Sequence, residues 1–217
     1  MQNQVTTLIY IAVSFFVGFV MGGLVFGRDR NSNFQNRSEA HVTNELRSNF
    51  PAPDYHLLNH VTIQLSDGTT QIDHILVSRF GVFVIETKAY SGWLFAGEKQ
   101  REWTQVLFHR KFKFQNPLLQ NFRHVCAVRE LLDFLPAESV RSAVVFMGDA
   151  QFKTEVPNGG YDLSGLIDYL RKQTQVEMSL NRMQFCIGRL EANRLAISGA
   201  TDVEHVESLG RRHGRTV

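Results

Sequence analysis

The chain has 217 residues and a formal net charge of only +2, which excludes a global basic field as the signature of nucleic-acid binding. Any polyanion-binding surface must therefore be local. Its two cysteines, Cys126 and Cys186, stand in no metal-ligand spacing and are read as free, buried thiols of a reducing compartment.

The first predicted element is the run from Val5 to Phe26, which has no charged side chain. As a helix rising roughly 1.5 Å per residue, it is long enough to cross about 30 Å of hydrocarbon. Arg28 and Arg30 follow its far end, with Arg37 beyond, whereas its near end offers only the terminal amine. The positive-inside bias then leaves the remainder in the cytoplasm. A cleaved secretory signal would need a basic segment before the run and a small-residue cleavage site after it, and neither is present. The expectation is a single-pass protein of the cell inner membrane, contacting the bilayer through residues 5–26, with a cytoplasmic C-terminal domain. Gly18 and Gly22 form a GxxxG spacing that suits close approach of two spans, and so a homodimer, although glycine is common in membrane helices.

The predicted organisation is a transmembrane anchor over 1–27, a linker over 28–37, one domain over 38–200 and a basic tail over 201–217. The linker is polar and Asn-rich, and the tail carries Arg211, Arg212, His213 and Arg215 without an apolar pattern. From Ser38, the spacing of Val42, Leu46 and Phe50 predicts one face of a helix, with Ser38 as its cap and Pro51 and Pro53 as its stop. Glu39 then falls in the first turn, where position alone makes it a solvated carboxylate favoured by the helix dipole.

Val61, Ile63 and Leu65 alternate with polar residues, and Asp67-Gly68 is a hairpin-turn signal leading to a second strand from about Thr69 to Val77. After a break at Arg79 to Gly81, Val82 to Ile85 is an apolar run of the kind found in a buried central strand. Period-two alternation places Asp73 on a face with Ile75 and Val77, and Glu86 and Lys88 on a face with Val82 and Val84. A hairpin centred between Arg79 and Phe80 would set Asp73 opposite Glu86. Opposed carboxylates on a buried face cost several kcal/mol unless a proton is shared or a cation neutralises them. Mg²⁺ or Mn²⁺, which prefer carboxylate oxygens, would satisfy that need. His74 should point to the opposite face as a structural or surface histidine, and His109 and His124 likewise lack a partner at ligand spacing.

The stretch Gln71 to Lys88, QIDHILVSRFGVFVIETK, resembles the nuclease-related domain family of the PD-(D/E)xK nuclease superfamily. Gly92 and Trp103 follow at suitable distances, Asn116-Pro117 with Gln120 is similar to the family's NP-x-x-Q element, and Glu39, Val42 and Leu46 are similar to its opening helix. The place before Glu39, usually Gly in the family, is Ser38 here. The resemblance covers roughly Ser38 to Phe152 and implies an α/β fold with a mixed central sheet flanked by helices, restriction-endonuclease-like. It implies phosphodiester hydrolysis of nucleic acid, DNA ahead of RNA, with Mg²⁺ or Mn²⁺ as cofactor. Asp73 and Glu86 would ligate the metal, Glu39 would complete its shell, Lys88 would orient or deprotonate the water, and Gln120 would touch the site or the substrate backbone.

From Val106 to Phe114, Leu107, His109, Lys111 and Lys113 alternate with Phe108, Arg110, Phe112 and Phe114. Read as one strand, this run has a largely basic face able to follow a phosphate backbone and a largely aromatic one. Lysines also protect sheet edges, an equally good reading of the same pattern. Downstream, a buried strand is expected over Ala143 to Met147, and helices over Leu163 to Lys172 and Asn181 to Asn193. No phosphate-binding Gly loop or Ser-His-Asp context is found, so kinase and hydrolase readings lack support. The expectation is a membrane-anchored, metal-dependent nuclease-like protein, set against a catalytically silent nucleic-acid- or protein-binding module and a membrane assembly factor.

Overall fold

The computed structural model describes residues 35–195. The expected span over 5–26, its Gly18/Gly22 pair and the tail over 201–217 lie outside the described residues. Among those described, no helix is long and apolar enough to cross a membrane. The chain divides into two units between Arg37 and Ser38, and the second carries every strand found among the described residues.

The first helix, α1, runs from 35 through 49 among the described residues, so Ser38 lies inside it and is not its cap. Val42, Leu46 and Phe50 recur every fourth position and are all buried, as the periodicity predicts. Glu39, just under one turn before Val42, is buried as well and is not the solvated carboxylate that its position suggested.

Strands β1 (Tyr55–Leu65), β2 (Gly68–Ser78) and β3 (Gly81–Tyr90) form an antiparallel meander. The β2–β3 turn is the two residues Arg79 and Phe80, closing on Ser78 paired with Gly81. Gly81 sits at φ 131, and a Cβ there would meet the Arg141 guanidinium at 2.5 Å, so the turn excludes a side chain. β3 then pairs in parallel with β7 (Val140–Gly148), and β7 in parallel with β9 (Gly160–Tyr161), giving the order β1-β2-β3-β7-β9. This is the expected mixed central sheet.

Helices cover both of its faces. Ile75, Val77, Val82 and Val84 pack with Val125 and Val128 of α2 (Pro117–Leu131) and with Met183 and Leu190 of α4 (Leu180–Asn193). On the other face Leu76, Phe83 and Ile85 pack with Val42 and Leu46 of α1 and with Leu166 and Leu170 of α3 (Leu163–Arg171). Each fully buried aliphatic side chain contributes roughly 1.5–3 kcal/mol relative to exposure, which makes β3, buried on both sides, the anchor of the fold.

A second sheet, ordered β6-β5-β4-β8, follows β3 in the chain. It comprises β4 (Trp93–Phe95), β5 (Glu102–Leu107), β6 (Arg110–Gln115) and β8 (Gln151–Phe152). One face is closed by Trp103, fully buried, which stacks on Phe146 of β7 with ring centroids 5.8 Å apart and meets Phe114 and Phe152 edge-on. The run from Val106 to Phe114 is therefore not one strand. It folds back at Phe108 and His109, with Phe108 at φ 54, so Val106 pairs with Lys111 and Leu107 with Arg110.

Candidate active site

The β2–β3 register is the one that sets Asp73 level with Glu86, but the ladder stops one row short, at His74 paired with Ile85. Asp73 is also missing from the otherwise continuous β1–β2 register, where His60, its would-be partner, has φ 50. A left-handed histidine costs of order 1 kcal/mol, a local strain that coincides with the departure of Asp73 from both neighbours. β2 and β3 thus open into a fork. In it, the Asp73 carboxylate replaces a main-chain acceptor: its Oδ2 takes the Thr87 amide hydrogen at 2.8 Å.

Glu86 and Lys88, two residues apart on β3, share the face that alternation predicts. Lys88 Nζ lies 2.6 Å from Glu86 Oε1, and Glu86 is only 2 % exposed. The same oxygen accepts from Gln120 Nε2 at 2.7 Å. Burial opposes the charge of Glu86, but Lys88 and His124 outweigh it and hold the carboxyl down to about 2. Burial also opposes the Lys88 ammonium, and there Glu86 and Asp73 prevail and raise it above the usual lysine range. Asp73 goes the other way: burial first, then the charges of Glu86 and Glu39, push it well above the usual carboxylate range despite Lys88 and the Thr87 amide. Tyr90, two residues beyond Lys88, is pushed up to about 12, chiefly by burial. The fork therefore holds three interacting carboxyls and one ammonium.

The Asn-Pro-x-x-Gln element has a mechanical explanation. Asn116, fully buried, caps α2 through Oδ1 accepting from Leu118 N, while its Nδ2 donates to the carbonyls of Glu98 and Gln100. Pro117 opens the helix where its missing N–H costs nothing. One turn on, Gln120 reaches Glu86, and Asn121 Nδ2 is divided among Val84 O, Ser142 Oγ and Ala143 O, fixing α2 across β3 and β7.

His124, which the sequence leaves without a partner, has two in the structure. It follows Gln120 by four positions on the same helix face, and its Nε2 lies 3.2 Å from Glu86 Oε2. Its Nδ1 is 2.8 Å from the Thr70 hydroxyl. Because an ionised carboxylate can only accept, Nε2 is the nitrogen that must carry a proton, and Nδ1 faces a hydroxyl that can donate or accept. The alignment is imperfect, for Glu86 Oε2 and His124 Nε2 are both buried without a hydrogen bond of good geometry. His74 points away, fully buried between Asn59 and Thr87, and burial pushes it down to about 3, so it is neutral and structural as expected.

Glu39 enters from α1: it shifts Asp73 through space, and its Oε2 lies 3.7 Å from His60 Nδ1. Among the described residues, no three His, Cys, Asp or Glu side chains are grouped so as to hold a metal ion. His109, Lys111 and Lys113 are on the second sheet, all exposed; His109 occupies the hairpin turn and does not share a strand face with the two lysines. Cys126 is exposed and Cys186 buried, so only one of the two thiols lies where the sequence suggested.

Residues 35–147, just over half of the chain, match the family described as the nuclease-related domain. The chain is also similar to an uncharacterized protein of Bacillus anthracis, 42% identical over 93 residues, covering 42% of this chain and 44% of the relative. It thus aligns with less than half the length of that curated relative.

Proposed function

The chain belongs to the nuclease-related domain family, and on that premise we propose that it is a membrane-anchored, metal-dependent phosphodiesterase acting on nucleic acid. The observation that carries this reading is the grouping of Asp73 with Glu86 and Lys88 in the β2–β3 fork, where burial first, and then the charges of Glu86 and Glu39, push the Asp73 carboxyl well above the usual carboxylate range. A divalent cation would offset those charges. The donor set fits in kind, being all carboxylate oxygen, but the three are not grouped around one point as they stand, so Asp73, Glu86 and Glu39 would have to draw together to hold Mg²⁺ or Mn²⁺. Bound there, the ion would supply charge stabilisation on the phosphoryl oxygens and acidify water.

The remaining chemistry falls to the chain itself. Lys88, whose charge Glu86 and Asp73 favour against burial, is a donor and charge-offsetting group. Gln120 and His124 orient Glu86 from α2, so the carboxylate is positioned before any ligand arrives. The charge-free run Val5 to Phe26, followed by Arg28 and Arg30, supports the anchor and a cytoplasmic domain. A green fluorescent protein fused after Val217 should then fluoresce, whereas an alkaline phosphatase fusion at that point should be inactive. The reverse pattern removes the orientation.

A second reading is a silent binding module, favoured by one observation: Glu86 is already engaged by Lys88, Gln120 and His124. Cleavage of labelled DNA and RNA by the full-length chain in detergent, with Mg²⁺, Mn²⁺ or EDTA, separates the two. Metal-dependent cutting that disappears in folded Asp73→Ala and Lys88→Ala proteins supports the phosphodiesterase. No cutting, together with no heat of Mg²⁺ or Mn²⁺ binding by calorimetry, leaves the binding module.

A further inference from the structure

We infer that the open face of the second sheet is a platform for single-stranded nucleic acid, a proposal that rests on the phosphodiesterase reading and adds a substrate class to it. Strand pairing places Trp93, Val106 and Lys111 in one row, and Phe95, Thr104 and Lys113 in the next, all on the face opposite Leu94 and Trp103. Leu94 and Trp103 are fully buried, whereas Trp93 is 50% and Phe95 39% exposed. A folded sheet has thus turned its two large rings of β4 outward, about 7 Å apart along the strand at its usual rise. Lys153, which follows β8, lies over the Trp93 ring with Nζ 4.8 Å from its centroid.

Aromatic rings interleaved with lysines are complementary to an unpaired strand: each base presents a π-face and each nucleotide a negative charge. A duplex keeps its bases stacked inside and offers the rings nothing. Lys113 can engage phosphate, because its contact with Glu102 is a solvated pair 3.8 Å long. The chain itself ties the platform to the fork, since Trp93 follows Lys88 by five residues. Gly92 makes the link tight: at φ 78, a Cβ there would lie 2.4 Å from Val106 O.

The chain contains two tryptophans, and since Trp103 is buried, solvent-sensitive emission reports on Trp93. The full-length protein is titrated in EDTA with oligothymidylate, with a DNA hairpin duplex and with anionic phosphatidylserine vesicles. Oligothymidylate is expected to quench the emission. In binding followed by anisotropy of labelled oligothymidylate, Trp93→Ala and Phe95→Ala should each weaken affinity about tenfold. Lys111→Glu with Lys113→Glu should flatten the salt dependence by roughly two counterions. Absence of binding, affinity unchanged in the folded alanine variants, or quenching by vesicles but not by oligothymidylate would each overturn the platform. Binding in EDTA is independent of catalysis. Ring-dependent binding without cleavage would remove the phosphodiesterase alone, and cleavage with unchanged affinity and KM in the alanine variants would remove the platform alone.

Discussion

The two sheets handle charge in opposite ways. The central sheet is covered on both faces and keeps a buried Glu86 beside half-buried Asp73 and Lys88 in a fork where each charge shifts its neighbours. The second sheet is covered on one face only, and its lysines and rings stand in solvent, where a close pair such as Lys113 with Glu102 is screened. Burial makes a charge expensive and therefore fixed in place; exposure makes it cheap and therefore available to a partner. In the proposed reading, one sheet serves a reaction and the other capture.

Removing the partner of a buried charge should have the largest effect. Lys88→Ala takes the cation from beside the buried Glu86 carboxylate and leaves it only Gln120 and His124, so a loss of about 3 kcal/mol is expected in chemical denaturation of the full chain. A loss below about 1 kcal/mol would show that water already solvates the fork, and the contrast between the sheets would fail. Next, Asn116→Ala removes the α2 cap and two hydrogen bonds to the Glu98–Gln100 loop. About 2 kcal/mol should be lost by the same measurement, with Glu86 orientation loosened through Gln120.

Asp73→Asn tests the sign of the electrostatics. A carboxyl whose folded pKa is raised destabilises the native state once pH exceeds its unfolded value, and most fully above its folded one. The variant should therefore have a higher Tm than the parent at neutral pH. That advantage should shrink as pH falls and vanish below 3.8, where Asp is protonated in both states. A lower Tm at neutral pH would mean that attraction to Lys88 and the charge-assisted part of the Thr87 hydrogen bond outweigh burial and repulsion. The smallest effect belongs to Lys111→Glu with Lys113→Glu, which should leave stability within about 0.5 kcal/mol by thermal melting, in contrast to Lys88→Ala.

How much of the molecule was legible depended on where the signal was stored. Alternation fixed the faces of Asp73, Glu86 and Lys88, and the short break at Arg79 gave the β2–β3 register, because both are properties of a strand's own sequence. The hairpin at Phe108 and His109 was hidden, since it lacks the Gly or Asn that positive φ usually demands. Two strands therefore looked like one, and His109 was grouped with lysines whose face it does not share. His124 reads as lone in the sequence because its partner comes from another element; only its four-residue offset from Gln120 points toward the site. The burial of Glu39 and the exposure of Cys126 are likewise facts of packing, not of spacing.

The row at which the ladder stops has a spectroscopic consequence. Thr87 donates its amide to Asp73 on one side of the sheet, while its hydroxyl meets His74 Nε2 at 3.1 Å on the other. His74, held neutral to about pH 3, is silent across the accessible range. The Thr87 amide proton is therefore a built-in voltmeter for the fork: its chemical shift should follow the ionisation of Asp73, and any cation that enters should move it without a label on the protein's reactive groups.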